Sequence, residues 1–191
     1  RRTLNVQKVR LACGGGGPPR IWTLLSRLPW CRDACPRQKD AFMNALDGWV
    51  PRSGLLGVYL HIPFCTQRCG YCSFNTAPDG PGAVERFLPA LLGEMDIVAG
   101  APWAGGVDVC SVFLGGGTPS LLPAEAMACI LGRLGERFGI VGGAEVTVEC
   151  NPESVSRERL EGYRRAGVTR ISLGVQSLDD RILPTLDRLH T

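Results

Sequence analysis

The 191 residues predict an α/β fold built on a parallel sheet. Three observations carry that prediction. Apolar runs of strand length alternate with amphipathic stretches of helix length four times between residues 56 and 191. Each run is closed by Gly, Pro or Asn. The residues of unusual type gather at those closures, where strands give way to loops. Strand–helix–strand alternation implies parallel pairing with right-handed crossovers, and ligand sites in such sheets lie where strands end. Four units are too few to close a barrel.

The elements follow in order. Gly57-Val58-Tyr59-Leu60-His61-Ile62 reads as a buried strand stopped by Pro63. Residues 64–82 form a long loop with three Cys. Val84, Phe87, Leu88, Leu91, Leu92 and Met95 recur at helical spacing and predict a helix over 83–98. Residues 107–114 are a second strand running into Gly115-Gly116-Gly117-Thr118-Pro119-Ser120. A second helix spans 123–138, with Pro in its first turn. The third strand, 145–149, ends at Asn151-Pro152. Ser156 caps a third helix over 156–166 and Gly167 closes it. Residues 168–174 are the fourth strand and 179–189 the fourth helix.

Residues 1–55 lack this texture. Cys13-Gly14-Gly15-Gly16-Gly17-Pro18-Pro19 continues neither helix nor strand, and only short helices at 21–28 and 41–49 are expected. This segment carries ten Lys or Arg against three Asp or Glu, whereas residues 56–191 carry eleven against fifteen. The net charge of +3 therefore describes the leader and not the main body. A basic arm is able to contact nucleic acid, but nineteen of the 21 basic residues are Arg, a coding bias more than phosphate recognition. The expectation is an irregular leader over 1–55, a core domain over 56–191 and no nucleic-acid partner. Met43 is a natural start, and a chain beginning there is expected to keep the core intact. No stretch approaches the ~20 apolar residues of a membrane span. Nine Cys, an odd number, with no signal-peptide pattern point to a reducing, cytoplasmic setting in which clustered Cys bind metal.

Cys65, Cys69 and Cys72 place three thiols within eight residues. One loop with gaps of three and two residues is able to wrap a single metal centre. Zinc commonly uses two Cys-x2-Cys pairs, and no second pair is evident. An iron–sulfur cluster suits such a run. A zinc-stabilised structural loop and three buried free thiols are the alternatives.

With Tyr59-Leu60-His61-Ile62-Pro63-Phe64 ahead of the thiols, the sequence resembles the radical S-adenosylmethionine (SAM) superfamily, in its oxygen-independent coproporphyrinogen oxidase-like branch. The resemblance continues through 115–120, Glu149-Cys150-Asn151-Pro152-Glu153, Ser172-Leu173-Gly174-Val175-Gln176-Ser177 and Leu186-Asp187-Arg188-Leu189-His190. It implies the N-terminal four βα units of an incomplete TIM-like barrel, in which a fifth strand pairs with the fourth. By resemblance, Cys65, Cys69 and Cys72 hold three irons of a [4Fe–4S] cluster, and SAM chelates the fourth. An electron from the cluster then cleaves the sulfonium. SAM contacts are implied at Tyr59, Tyr71, Gly116, Gly117, Thr118, Glu149, Gln176 and Arg188.

Within the branch, the oxidising enzymes carry a further Cys two positions after the third ligand. Phe74 stands there, and Cys72-Ser73-Phe74-Asn75-Thr76 is similar to the haem-chaperone members. That implies haem or a porphyrin as ligand and a haem-acceptor protein as partner, with coproporphyrinogen III dehydrogenation as the alternative. His61 is read as structural, and Cys110, Cys129 and Cys150 as small buried hydrophobes.

Overall fold

The computed structural model describes residues 54–191. Residues 1–53, with the helices expected at 21–28 and 41–49, lie outside the described residues, while Leu55, placed by sequence in the irregular segment 1–55, opens the first strand. Six strands, three α-helices and several short 3-10 turns make up the rest.

Strand β1 (Leu55–Ile62) is followed by β2 (Phe64–Cys65) and β3 (Ala77–Pro78), then by helix α1 (Ala83–Ala99). Strand β4 (Asp108–Gly116) leads to α2 (Ala124–Phe138), β5 (Ile140–Cys150) to α3 (Arg157–Ala166), and β6 (Arg170–Leu173) closes the sheet. The four long strands pair in parallel in the order β1-β4-β5-β6. Register runs straight across, with Leu60 opposite Leu114, Leu114 opposite Val148, and Val148 opposite Ile171.

Side chains alternate between the two faces of a strand, so this row of residues shares one face. Leu56, Val58, Leu60 and Ile62 of β1, Val112 and Leu114 of β4, and Val146 and Val148 of β5 are all buried. They pack with Phe87, Leu91, Met95 and Val98 of α1 and with Met127, Ile130 and Leu134 of α2. The opposite face carries Tyr59, His61, Phe113, Thr147 and Glu149, a mixed and partly polar surface. Tyr59 and Phe113, paired in register, stack with ring centroids 5.9 Å apart.

Helix caps follow the sequence. Ser156 accepts the Arg159 N–H, and Gly167 closes α3 at φ 107°. Tyr163 of α3 is fully buried, and its hydroxyl donates to the Leu122 carbonyl at 2.6 Å. That bond ties α3 to the loop after β4.

Three expectations are corrected. The helix expected over 179–189 is a chain of turns with one 3-10 segment, Leu183–Leu186. Pro184 supplies no N–H, and Asp187 turns left-handed at φ 52°, so no α-helix is sustained. Cys129 is exposed, not buried, because it lies off the α2 stripe that buries Ala126, Ile130 and Leu134. Cys110 is half-buried beside the irregularity in β4 pairing and donates to the Leu56 carbonyl at 3.5 Å. Cys150 is buried as expected. In the described sheet β6 is an edge, with Ile171 38% and Leu173 47% exposed. Among the described residues no helix is long and apolar enough to cross a membrane.

Glu94 is half-buried on α1, one helical turn from the buried Leu91 and Val98. Burial pushes its carboxyl up to about 7 from a usual 4.5. The folded state therefore disfavours the carboxylate. This penalty is absent below about pH 4.5, grows between pH 4.5 and 7, and is complete above. Glu94→Gln is expected to stabilise the fold by about 1–2 kcal/mol at pH 8 and negligibly at pH 4.5, since one pKa unit is worth about 1.4 kcal/mol before allowance for partial solvation. Urea unfolding of both proteins at the two pH values checks this.

Candidate functional site

The sequence clusters meet at the C-terminal end of the sheet. Pro63 turns the chain out of β1, and the short pair β2–β3 closes the cysteine loop at its base, Phe64 opposite Ala77 and Cys65 opposite Pro78. The Ala77 N–H donates to Pro63 O at 2.8 Å and the Asp79 N–H to Cys65 O at 2.9 Å. His61 holds the loop from below. A carbonyl only accepts, so the 2.9 Å contact of His61 Nε2 with Asn75 O fixes the proton on Nε2. Nδ1 then faces the Tyr59 hydroxyl at 3.3 Å. His61 is thus structural, as read from the sequence.

The glycines at the end of β4 are required by close packing. Gly116 adopts φ 116°, and a Cβ there would lie 2.4 Å from the His61 ring. A Cβ on Gly117 would lie 2.5 Å from the Phe64 carbonyl oxygen. Two backbone bonds tie this turn to the cysteine loop, Gly117 N–H to Ile62 O at 2.8 Å and Thr118 N–H to Phe64 O at 2.7 Å. Glu149 reaches across Gly115 to accept the Gly116 N–H at 3.2 Å. Burial, with Glu149 nearby, pushes the Tyr59 hydroxyl up to about 12, so it stays a neutral donor.

A polar chain joins two of the thiols. Thr118 Oγ1 donates to Cys65 Sγ at 3.6 Å. Asn151 Nδ2 donates to Thr118 Oγ1 at 3.2 Å. Asn151 Oδ1 accepts from Arg188 Nη2 at 2.8 Å, and the same nitrogen donates to Gly174 O at 2.7 Å. Arg188 Nη1 reaches Cys69 Sγ at 3.7 Å. Cys72 joins through its backbone, its N–H donating to Cys69 O at 3.0 Å. The guanidinium is 95% buried, and its Nε has no hydrogen-bond partner. Glu153 stands 4.0 Å from it and 3.4 Å from His190, whose Nε2 donates to Val175 O.

Behind this chain lies a second network. Ser120 and Ser154 hydroxyls bond each other, and Arg159 Nη1 donates to both Ser120 O and Ser154 O at 2.7 Å. It clamps the turn after β4 to the turn after β5. From sequence Asn151 reads only as a turn residue; its bridging role shows in the structure alone. The adjoining Asn-Pro turn was the available signal.

Of the expected site residues, Tyr59, Gly116, Gly117, Thr118, Glu149 and Arg188 are brought together around the loop. Tyr71 lies between Cys69 and Cys72 but is 51% exposed. Gln176 lies beyond β6 at φ 66°, with its amide folded over Gly174.

The donor set fits a soft, cation-rich centre. The three loop thiols are unpaired and half-buried. Burial pushes the Cys65 thiol up, the Thr118 bond draws it back, Cys72 and Cys69 push it up again, and Arg188 lowers it. A raised pKa favours the protonated thiol, and a metal cation that binds such a thiol displaces its proton. Among the described residues, no group of three or more His, Cys, Asp or Glu converges as a ligand set. Binding of metal and ordering of ligands go together in such loops.

Gly117→Ala is expected to cost about 2–3 kcal/mol, because the methyl meets backbone and not a yielding side chain. Thermal unfolding of the variant measures it.

Comparison with known proteins gives the arrangement its context. The chain is 47% identical over 153 residues to the heme chaperone HemW of Mycobacterium tuberculosis, covering 76% of this chain and 38% of that protein. It is 42% identical over 136 residues to HemW of Escherichia coli, covering 71% of this chain and 35% of that one. The solved structure of coproporphyrinogen III oxidase (HemN) from Escherichia coli, a radical SAM enzyme, superposes with a TM-score of 0.69 at 29% identity, over 80% of this chain and 34% of that one. The chain thus spans about a third of the length of the relatives it matches. The model of the radical SAM superfamily matches residues 59–191, the stretch that holds most of the parallel sheet, its three α-helices and the cysteine loop, and the chain belongs to that superfamily.

Proposed function

We propose that residues 56–191 are the cluster- and SAM-binding part of a HemW-like haem chaperone working in the cytoplasm. The observation that carries this reading is the polar chain from Cys65 through Thr118, Asn151 and Arg188 to Cys69. It positions two thiols of one loop and places a buried cation beside them. Cys65, Cys69 and Cys72 would ligate three irons of a [4Fe–4S] cluster. A bound cluster of this kind supplies the electron for reductive cleavage of SAM.

The remaining roles belong to the chain. Glu149, already accepting the Gly116 N–H, offers a second oxygen to the SAM amine. Arg188, with a free Nε, suits a carboxylate. Tyr59 and Tyr71 offer aromatic faces, Gln176 a donor and an acceptor, and the turn at 116–118 a close backbone approach. Haem would be cargo, handed to an acceptor protein. Support comes from the 47% identity to a protein named a heme chaperone and from Phe74 at the position where the oxidising branch places a further Cys.

The second reading is coproporphyrinogen III oxidation, favoured by the likeness to HemN. The two separate by assay: full-length protein that binds haem and leaves coproporphyrinogen III unchanged under reducing anaerobic conditions with SAM supports the chaperone. Turnover to protoporphyrinogen supports the oxidase.

Cys65→Ala, Cys69→Ala and Cys72→Ala are each expected to abolish iron and sulfide uptake on anaerobic reconstitution, whereas Cys110→Ala, Cys129→Ala and Cys150→Ala retain it. Iron and sulfide analysis decides. A colourless zinc protein in place of a brown one overturns the cluster reading.

A further inference from the structure

The carboxylate of Asp187 has no part in the family reading of the site, and its placement is unusual. It follows the 3-10 segment Leu183–Leu186 and is held left-handed at φ 52° and ψ 38°. Asp is one of the non-glycine residues enriched in this region, but any non-glycine residue there is uncommon and points to a local demand. The turn aims two successive side chains at the cysteine loop. Arg188 reaches the Cys69 sulfur, and Asp187 Oδ2 accepts the Gly70 N–H at 2.7 Å. The Asp187 carbonyl also receives Cys69 Sγ at 3.9 Å.

Gly70 is the residue that lies between Cys69 and the turn to Cys72. A Cβ at Gly70 would lie 2.9 Å from Asp187 Oδ2, so the glycine is what lets the carboxylate approach. The loop tip is otherwise sparsely held. Among its described bonds are the Cys72 N–H to Cys69 O and Arg68 Nη2 to Cys72 O, both within the tip itself. Asp187 and Arg188 supply the anchors from outside.

We propose that Asp187 is a positioning residue for the cluster loop, fixing the Cys69–Cys72 turn by accepting the Gly70 amide proton. The inference rests on the cluster reading above. The carboxylate touches no thiol. It sets the direction of the peptide that leaves Cys69, and with it the sulfur's presentation to metal. Outer partners of this kind, when removed, commonly cost about 10–100-fold in metal affinity.

Two variants separate the carboxylate from the backbone strain. Asp187→Gly deletes the acceptor while relaxing the left-handed backbone. Asp187→Asn keeps an acceptor oxygen and tolerates the conformation. Full-length protein is reconstituted anaerobically, and iron release to a chelator is followed with the EPR spectrum of the reduced cluster. In metal-free protein labelled with 15N, the Gly70 amide proton shift is read directly.

Asp187→Gly is expected to release iron about tenfold faster, broaden the EPR signal and move the Gly70 proton upfield, with its melting temperature unchanged or raised. Asp187→Asn is expected to stay within about twofold of wild type in iron release. Normal cluster uptake with Asp187→Gly indistinguishable from wild type overturns this inference alone. A wild-type protein that takes up no cluster overturns the proposed function and this inference with it.

Discussion

The buried guanidinium of Arg188 is the interaction on which the site depends. It joins the Asn151 amide, the Gly174 carbonyl and the Cys69 sulfur, which belong to three separate loops. A charge so deeply enclosed is costly unless hydrogen-bonded on several sides. Here the required acceptors come from the ends of β5 and β6 and from the cysteine loop. The demand of one cation for partners thereby fixes the relative placement of three loops. Asn151 is constrained in turn, because its oxygen faces Arg188 and its nitrogen Thr118, which leaves one orientation of the amide.

The sheet beneath makes this convergence possible. Parallel strands whose C-terminal halves pair in straight register end at a common edge, so loops distant in sequence leave from neighbouring points. Glycine at 115–117 lets those exits approach closely enough for His61, Glu149 and Phe64 to interlock. The Ser120–Ser154–Arg159 network and the Tyr163 hydroxyl then secure the turns from the helix side. Packing of the apolar face and precision of the polar edge are thus parts of a single construction.

Much of this was legible in the sequence. Period-3.6 apolar residues in α1 and α2, strand runs closed by Pro63 and Asn151, and the Ser156 and Gly167 caps are local signals, and each appears where expected. The cysteine loop and the clustering of unusual residues at strand ends were legible for the same reason. What was not legible depends on tertiary contact. The segment 179–189 has helical spacing, but its backbone is claimed by the turn that sends Asp187 and Arg188 to a loop 117–119 residues away. Asn151 reads as a turn-former until the residues on both sides of it are in place. Cys129 shows a smaller failure: one position along a helix rotates a side chain by about 100°, from core to water.

The long reach between Arg188 and Cys69 has a consequence in time as well as in space. At a synthesis rate of about 5–20 residues per second, the 119 residues that separate them take roughly 6–24 s to appear. Throughout that interval the nascent cysteine loop exists without its cationic anchor. The β2–β3 pair and the His61 bond to Asn75 form from neighbouring chain and need no such wait. The loop is therefore shaped in two stages during translation, its base early and its tip late. Thiols that have emerged from the ribosome but are not yet anchored are open to oxidation until the turn after β6 has been made.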